Sequence, residues 1–231
     1  LHHWQKRDPA GERYFGLGDK TGPLDLAGRR LRTRALDALG YDAKTGDPLY
    51  KHWPFFLNHR HGLASGCYYD TLAECTFDFG AEHDNYHGRY RATEIADGDL
   101  DLYVFAGPSL REALARFVAA IGGTAMPPRW SLGYANTAMG LTDAPDGQAR
   151  VREFLANAER DGFPLSSFHF GSGYSSRGKQ RYVFTWNHDK FPEPRQLMAD
   201  FAKAGVRTIA NLKPCLLDDH PAYASLAAEG A

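Results

Sequence analysis

PLSSFHFGSGYSSRGKQRYVFTWNHDKFPEP, residues 164–194, is the stretch whose reading decides the fold. Ser167-Phe168-His169-Phe170 is an apolar run long enough for one buried strand. Gly171-Ser172-Gly173-Tyr174 ends it, because so much glycine neither continues a strand nor starts a helix. A second β-favouring run follows at Tyr182-Val183-Phe184-Thr185-Trp186, and Phe191-Pro192-Glu193-Pro194 opens a helix. The order is therefore strand, glycine-rich loop with aromatics behind it, helix. In α/β folds, ligands bind at the loops leaving the C-terminal ends of parallel strands. This loop is expected to line a substrate pocket.

Working outward, the rhythm on both sides of the stretch is β-α. After Met126-Pro127-Pro128, Trp130–Tyr134 is a strand candidate. Gln148–Asp161 is an amphipathic helix with Val151, Phe154, Leu155 and Ala158 on one face. Ser166–Phe170 is the second strand. Arg195–Ala204 is the second helix, with Met198, Phe201 and Ala202 expected inward and Gly205 as its stop. Val206–Leu212 is the third strand, and Pro221–Ala228 opens a third helix. Strands alternating with helices imply a parallel sheet with right-handed crossovers. A TIM barrel has eight such units, and three fit before Ala231.

Earlier in the chain the pattern differs. Short β-like runs lie at Arg13–Gly16, Trp53–Leu57, Cys67–Asp70, Cys75–Phe79 and Leu100–Phe105, broken by Gly, Pro and Asp. That spacing predicts a β-sandwich or part of one. Ser109–Ile121 reads as a helix, with Ser109 and Glu112 as a capping box and Gly122-Gly123 as its stop. It reads as a bridge between two domains, residues 1–125 and 126–231.

Composition narrows the function classes. With 43% hydrophobic and 24% charged residues, the chain is globular. A net charge of −1 gives no reason to expect nucleic acid or an anionic membrane as partner. No apolar run is long enough to span a bilayer. Cys67, Cys75 and Cys215 are odd in number and lack CxxC spacing, which argues against a disulfide framework and a zinc cluster. Aromatics at 13% fit either aromatic cores or stacking platforms for sugars. Leu1-His2-His3-Trp4 has no initiator Met, so the chain reads as beginning within a domain. The absent leader therefore means little, the compartment is not fixed by the sequence although the cytoplasm is favoured, and a homo-oligomer is compatible with the sequence.

Several stretches together resemble glycoside hydrolase family 31, the α-glucosidase and α-xylosidase family. Glu12–Lys20 (ERYFGLGDK) is similar to that family's yGlGe segment. Leu36–Asp42 (LDALGYD), Asp47–Phe55 (DPLYKHWPF), Met126–Tyr134 (MPPRWSLGY) and Phe184–Pro192 (FTWNHDKFP) follow in the family's order. The resemblance runs over nearly the whole chain. It implies a galactose mutarotase-like β-sandwich, then the first part of a (β/α)₈ TIM barrel. It also implies retaining hydrolysis of a terminal non-reducing α-linked sugar in an oligosaccharide or α-glycoside. Retention needs two carboxyl groups about 5 Å apart. In the family both follow barrel strands beyond the third, so they are expected C-terminal to Ala231. No residue here is assigned as nucleophile or general acid, no cofactor or metal is implied, and the segment alone is expected to be inactive.

What the resemblance leaves in this chain is the non-reacting part of the sugar pocket. Asp37 matches a sandwich-loop aspartate that binds sugar hydroxyls in the family. Its plainer reading is a turn residue before Gly40. Met139 stands where many members carry an aromatic, and its plainer reading is a core thioether. After the second strand most members read Asp-x-Asp-Tyr-Met-Asp, and this chain reads Gly171-Ser172-Gly173-Tyr174-Ser175-Ser176. After the third strand members read Asp-Pro, and this chain reads Asn211-Leu212-Lys213-Pro214. A carboxylate is lost and an ammonium gained. Lys213 can donate to hydroxyls or to an anionic substituent, or pair with Asp218 or Asp219. These departures leave the sugar open, plain glucose included, and leave the broad class unchanged.

Other motifs carry less. His83 and His87 share a helical metal spacing, but their surroundings are strands and turns. His59 and His61 share at best one strand face. Gly171-Ser172-Gly173 lacks the third glycine of a dinucleotide loop, and Ser172 and Ser175 near His169 lack a G-x-S-x-G elbow. Two other readings stay open: a non-catalytic carbohydrate-binding relative of the family, and a sandwich with a small α/β interaction domain. A barrel cut after three units leaves an open sheet edge, so the isolated segment is expected to be poorly soluble.

Overall fold

The computed structural model describes residues 1–6, 11–86 and 88–230, so His87 lies outside the described residues. The chain divides into two compact units, Leu1–Thr124 and Ala125–Ala231.

Among the described residues the first unit has nine strands: β1 (His2–Lys6), β2 (Arg13–Gly18), β3 (Arg30–Thr33), β4 (His52–Arg60), β5 (Leu63–Tyr69), β6 (Cys75–Asp78), β7 (His83–Asp84), β8 (Gly88–Ile95) and β9 (Leu102–Gly107). One antiparallel sheet has the order β1-β8-β6-β3, with β7 on β8, and the other β2-β4-β5-β9. Alternation turns Leu31, Thr33, Cys75 and Phe77 inward. There they meet Tyr14, Phe56 and Tyr69. Phe77 stands edge-on to Phe56 at 5.9 Å and to Tyr69 at 5.4 Å, geometry that aromatic quadrupoles favour. Much of the aromatic content is thus core.

Helix α1 (Leu110–Ile121) starts where the capping residue predicts, with the Ser109 hydroxyl accepting from the Glu112 N–H at 3.2 Å. Rather than only linking domains, it packs within the first unit. Phe117 lies flat on Phe55, 3.8 Å between ring centres, and edge-on to Phe105.

The second unit contains β10 (Tyr134–Thr137), α2 (Met139–Asp143), α3 (Gly147–Arg160), β11 (Leu165–Phe170), the two-residue strands β12 (Ser176–Arg177) and β13 (Gln180–Arg181), α4 (Pro194–Lys203), β14 (Arg207–Ala210) and α5 (Tyr223–Ala228). β10, β11 and β14 form a parallel sheet with β11 in the centre. Phe168 and Phe170 share one face of β11 and are buried in a core with Val151 and Leu155 of α3 and Leu197 and Phe201 of α4. All the C-terminal strand ends therefore point the same way, and the loops that leave them share one end of the sheet.

Three local expectations are corrected. The segment Trp130–Tyr134 is not a strand. Ser131 N–H and its hydroxyl both donate to the Pro128 carbonyl, at 2.9 and 2.8 Å, which closes a 3₁₀ turn over Arg129–Leu132 and delays the strand to Tyr134. Tyr182–Trp186 is a turn. Thr185 N–H and hydroxyl fold back on the Tyr182 carbonyl, and Phe184 takes a φ of 60°. In α4 Phe201 is inward as expected and Met198 packs partly buried against the core, but the other fully buried residue is Leu197, whereas Ala202 is exposed. Leu197 and Phe201 are four apart on one helix face, and Ala202 falls outside that stripe.

Candidate functional site

The site is the set of loops at the C-terminal ends of the three parallel strands. After β11 the chain makes one 3₁₀ turn, Ser172–Ser175, whose Gly173, Tyr174 and Ser175 are buried. Tyr174 and Trp186 pack on Phe170, at 6.2 and 5.8 Å between ring centres. The Tyr174 hydroxyl donates to the Asn211 carbonyl at 3.2 Å, and Asn211 N–H donates to the Phe170 carbonyl at 3.1 Å. The second-strand and third-strand loops are therefore fastened to each other by main-chain contacts.

The first-strand loop is fastened more tightly still. Helix α2 lies directly on the 3₁₀ turn. A Cβ built on Gly173 would fall 2.5 Å from the Thr142 carbonyl carbon and 2.6 Å from the Asp143 nitrogen. Those are backbone atoms and cannot turn aside. A Cβ on Gly171 would fall 2.8 Å from Met139 Cγ and 3.2 Å from Thr142 Oγ1. Gly173 is required by this close approach, whereas a side chain at Gly171 would first have to displace the Met139 side chain. Met139 is 62% exposed and is not a core gap-filler. Its side chain stands beside the position where the family pattern places a carboxylate.

Around this contact a polar network holds the loop. Arg181 Nε donates to Ser172 Oγ at 3.1 Å, and its Nη2 pairs with Asp143 Oδ1 at 3.2 Å. Lys190 Nζ donates to the Gly173 carbonyl and to Ser176 Oγ, both at 2.9 Å. Ser176 in turn donates to the Gly173 carbonyl at 2.7 Å. Removal from water lowers the Lys190 ammonium below its ordinary pKa, and the Asp143 carboxylate partly counters this. Asp143, Arg181 and Lys190 escaped the sequence reading because their partners are distant in sequence.

The third-strand loop is open by contrast. Asn211 and Lys213 are exposed. Among the described residues Lys213 has no ion-pair partner, and Asp219 instead accepts the Tyr182 hydroxyl at 2.8 Å. That bond, with burial behind it, pushes the Tyr182 phenol above its ordinary pKa. Buried His220 accepts Ala222 N–H at Nδ1, so Nε2 carries the proton and donates to the Val183 carbonyl at 2.7 Å. These contacts pin the chain beyond Lys213 while leaving Lys213 itself to solvent.

The structure thus brings together Met139, Gly171 and Ser172 and joins Asn211 to them, with Lys213 two residues further on. Asp37 stands on the first unit, exposed, where its Oδ1 accepts the Tyr50 hydroxyl at 2.7 Å. The phenol is raised above its ordinary pKa chiefly by that bond and remains a donor at neutral pH. Among the described residues, no group of three or more His, Cys, Asp or Glu is placed to hold a metal ion, and no helix is long and apolar enough to cross a membrane.

A two-sheet sandwich followed in the chain by parallel β/α units, with loops gathered at their C-terminal ends, is the architecture of a sandwich-plus-barrel glycoside hydrolase. Residues 1–78 match the glycosyl hydrolase 31 N-terminal galactose mutarotase-like domain, and residues 124–231 match the glycosyl hydrolases family 31 TIM-barrel domain. The chain belongs to glycoside hydrolase family 31: a mutarotase-like β-sandwich and the opening units of an incomplete (β/α)₈ barrel. It is 30% identical over 216 residues to alpha-glucosidase 2 of Bacillus thermoamyloliquefaciens, covering 92% of this chain and 25% of that protein. Alpha-xylosidase XylQ of Lactiplantibacillus pentosus is 25% identical over 214 residues, covering 92% and 26%. Among solved structures, the family 31 dextranase of Flavobacterium johnsoniae complexed with glucose superposes with a TM-score of 0.77 at 25% identity, over 99% of this chain and 26% of that one. The chain spans about a quarter of the length of the curated relatives it matches.

Proposed function

We propose that this chain is the sandwich and opening barrel of a longer retaining α-glycosidase that removes terminal non-reducing α-linked sugars. The supporting observation is the fastened set of strand-end loops in a chain whose two units match two successive domains of family 31. The nucleophile and the acid/base belong to later barrel strands, with the two carboxyl groups about 5 Å apart. The residues here bind the part of the sugar that does not react. Asp37, oriented by Tyr50, accepts sugar hydroxyls with its second oxygen. In the second unit, taken by itself, Ser172 and Asn211 supply polar contacts to a sugar, Met139 supplies an apolar wall beside Gly171, and the Lys213 ammonium donates to a hydroxyl or an anionic substituent.

A second reading is favoured by one observation. With α2 in place, a side chain at Gly171 meets Met139 Cγ at 2.8 Å, so the family's aspartate enters only if Met139 moves. A relative that binds sugar without cleaving it would tolerate the loss of that carboxylate. The test is hydrolysis of p-nitrophenyl α-glucoside, xyloside, galactoside and carboxylate-bearing α-glycosides by the full-length protein. Turnover of one with retained configuration supports the glycosidase. No turnover of any, with a sugar still raising the melting temperature, supports the binding protein.

A further inference from the structure

The outer face of the five-stranded sheet carries a depression that no strand-end loop explains. Cross-strand register sets Arg30, Asp78, Ala92 and Trp4 in one row across β3, β6, β8 and β1. Ala92 is the small member of that row. Its methyl group is the floor of a cavity of about 150 Å³, with Trp4 on one side and Asp78 and Arg30 on the other. Trp4 is 54% exposed, and its ring lies within 21° of parallel to that of Tyr90, 6.0 Å away. At the rim the Arg30 guanidinium meets Glu82 at 2.5 Å and Glu94 at 3.5 Å, and the Tyr90 hydroxyl donates to Glu82 at 3.2 Å. These three charged side chains are about half exposed.

We infer that this depression binds one pyranose unit of an α-linked oligosaccharide. A pyranose offers an apolar C–H face and a rim of hydroxyls that both donate and accept. The cavity offers the matching pair: a flat aromatic wall and alternating carboxylate acceptors and guanidinium donors. Ordinary ligand pockets start at about 300 Å³, so only a single ring fits, lying partly out of the cavity. Glu82 and Glu94 both pair with Arg30, and their remaining oxygen lone pairs can accept hydroxyl hydrogens. The inference rests on the proposed function only for the choice of an α-linked sugar.

The test is native electrophoresis of the full-length protein through gels containing dextran or glycogen, with parallel assays of p-nitrophenyl glycoside turnover and melting temperature. The parent is expected to be retarded. Trp4→Ala, which removes the wall, and Ala92→Leu, which fills the floor, are each expected to weaken retardation at least ~5-fold, since stacking on an aromatic face is worth about 1 kcal/mol or more. Turnover and melting temperature should stay at parent values. Retardation of both variants equal to the parent overturns the site, as does a parent that turns over a glycoside yet is not retarded. Trp4-dependent retardation without any turnover supports the site and counts against the glycosidase reading alone.

Discussion

The loops after β11 and β14 leave neighbouring parallel strands and are joined through Tyr174 and Asn211, yet they are finished in opposite ways. The β11 loop is closed by packing. Helix α2 presses on Gly171 and Gly173, and Lys190, Arg181 and Ser176 satisfy its polar groups. The β14 loop leaves Asn211 and Lys213 in solvent, with the Lys213 ammonium unpaired among the described residues. In the family pattern both loops carry aspartate. Where the resemblance implies aspartates, the first loop here has glycines under α2 and the second has the exposed Lys213. The difference separates two kinds of departure. One is governed by packing; the other is an available ligand group.

The comparison can be broken at four points. Gly173→Ala should have the largest effect. Its Cβ meets backbone, so α2 must move, and the full-length protein should lose about 3 kcal/mol, read as a lower melting temperature. A loss below about 0.5 kcal/mol would show that α2 is not tightly seated. Gly171→Asp should cost less, about 1–2 kcal/mol, because its nearest neighbour is the flexible Met139 side chain. Combining it with Met139→Ala should recover most of that loss in a double-mutant cycle. Strict additivity would mean that Met139 is not what excludes the carboxylate.

Lys190→Met removes two charge-assisted bonds and should cost about 1–2 kcal/mol near neutral pH. Its pH dependence follows from the lowered pKa. The folded protein releases the Lys190 proton at lower pH than the unfolded chain does. Between the lowered value and the ordinary value of 10.5 the unfolded state binds more protons, so stability from this group rises with pH. The parent should therefore gain on Lys190→Met as pH climbs through that window in paired alkaline melts. A parent that loses ground there contradicts the desolvation of Lys190. Lys213→Gln should have the smallest effect on stability, within about 0.5 kcal/mol, as an exposed group with no ion-pair partner among the described residues. A larger loss would place Lys213 in the fold and not in the pocket.

Parts of this were legible in the sequence because local rules decide them. Phe168 and Phe170 alternate on a short strand, the glycines stop it, and Pro194 opens α4. Ser109 caps α1 three residues before Glu112, so that boundary needed no tertiary knowledge. What stayed hidden is non-local. Tyr182–Trp186 has strand-like composition, but β-propensity describes a pleated, half-buried surface, and this segment has no partner strand. The glycines at 171 and 173 read as loop residues. The close approach of other atoms to them appears only when α2, some thirty residues earlier in the chain, is folded onto them. Likewise Arg181 with Asp143 and Lys190 with Gly173 are pairs that no periodicity announces. The resemblance singles out Asp37, and the structure adds the Tyr50 hydroxyl that donates to its carboxylate.

The part of the proposed function most open to direct test is the contact of the Lys213 ammonium, on the open β14 loop, with substrate. The most direct measurement is the ratio of kcat/KM for a carboxylate-bearing and a neutral p-nitrophenyl α-glycoside, for the full-length parent and for Lys213→Gln. A charge-assisted bond worth about 1.5–3 kcal/mol predicts a ratio that falls roughly 10- to 100-fold in the variant. An unchanged ratio, with turnover intact, would contradict the account.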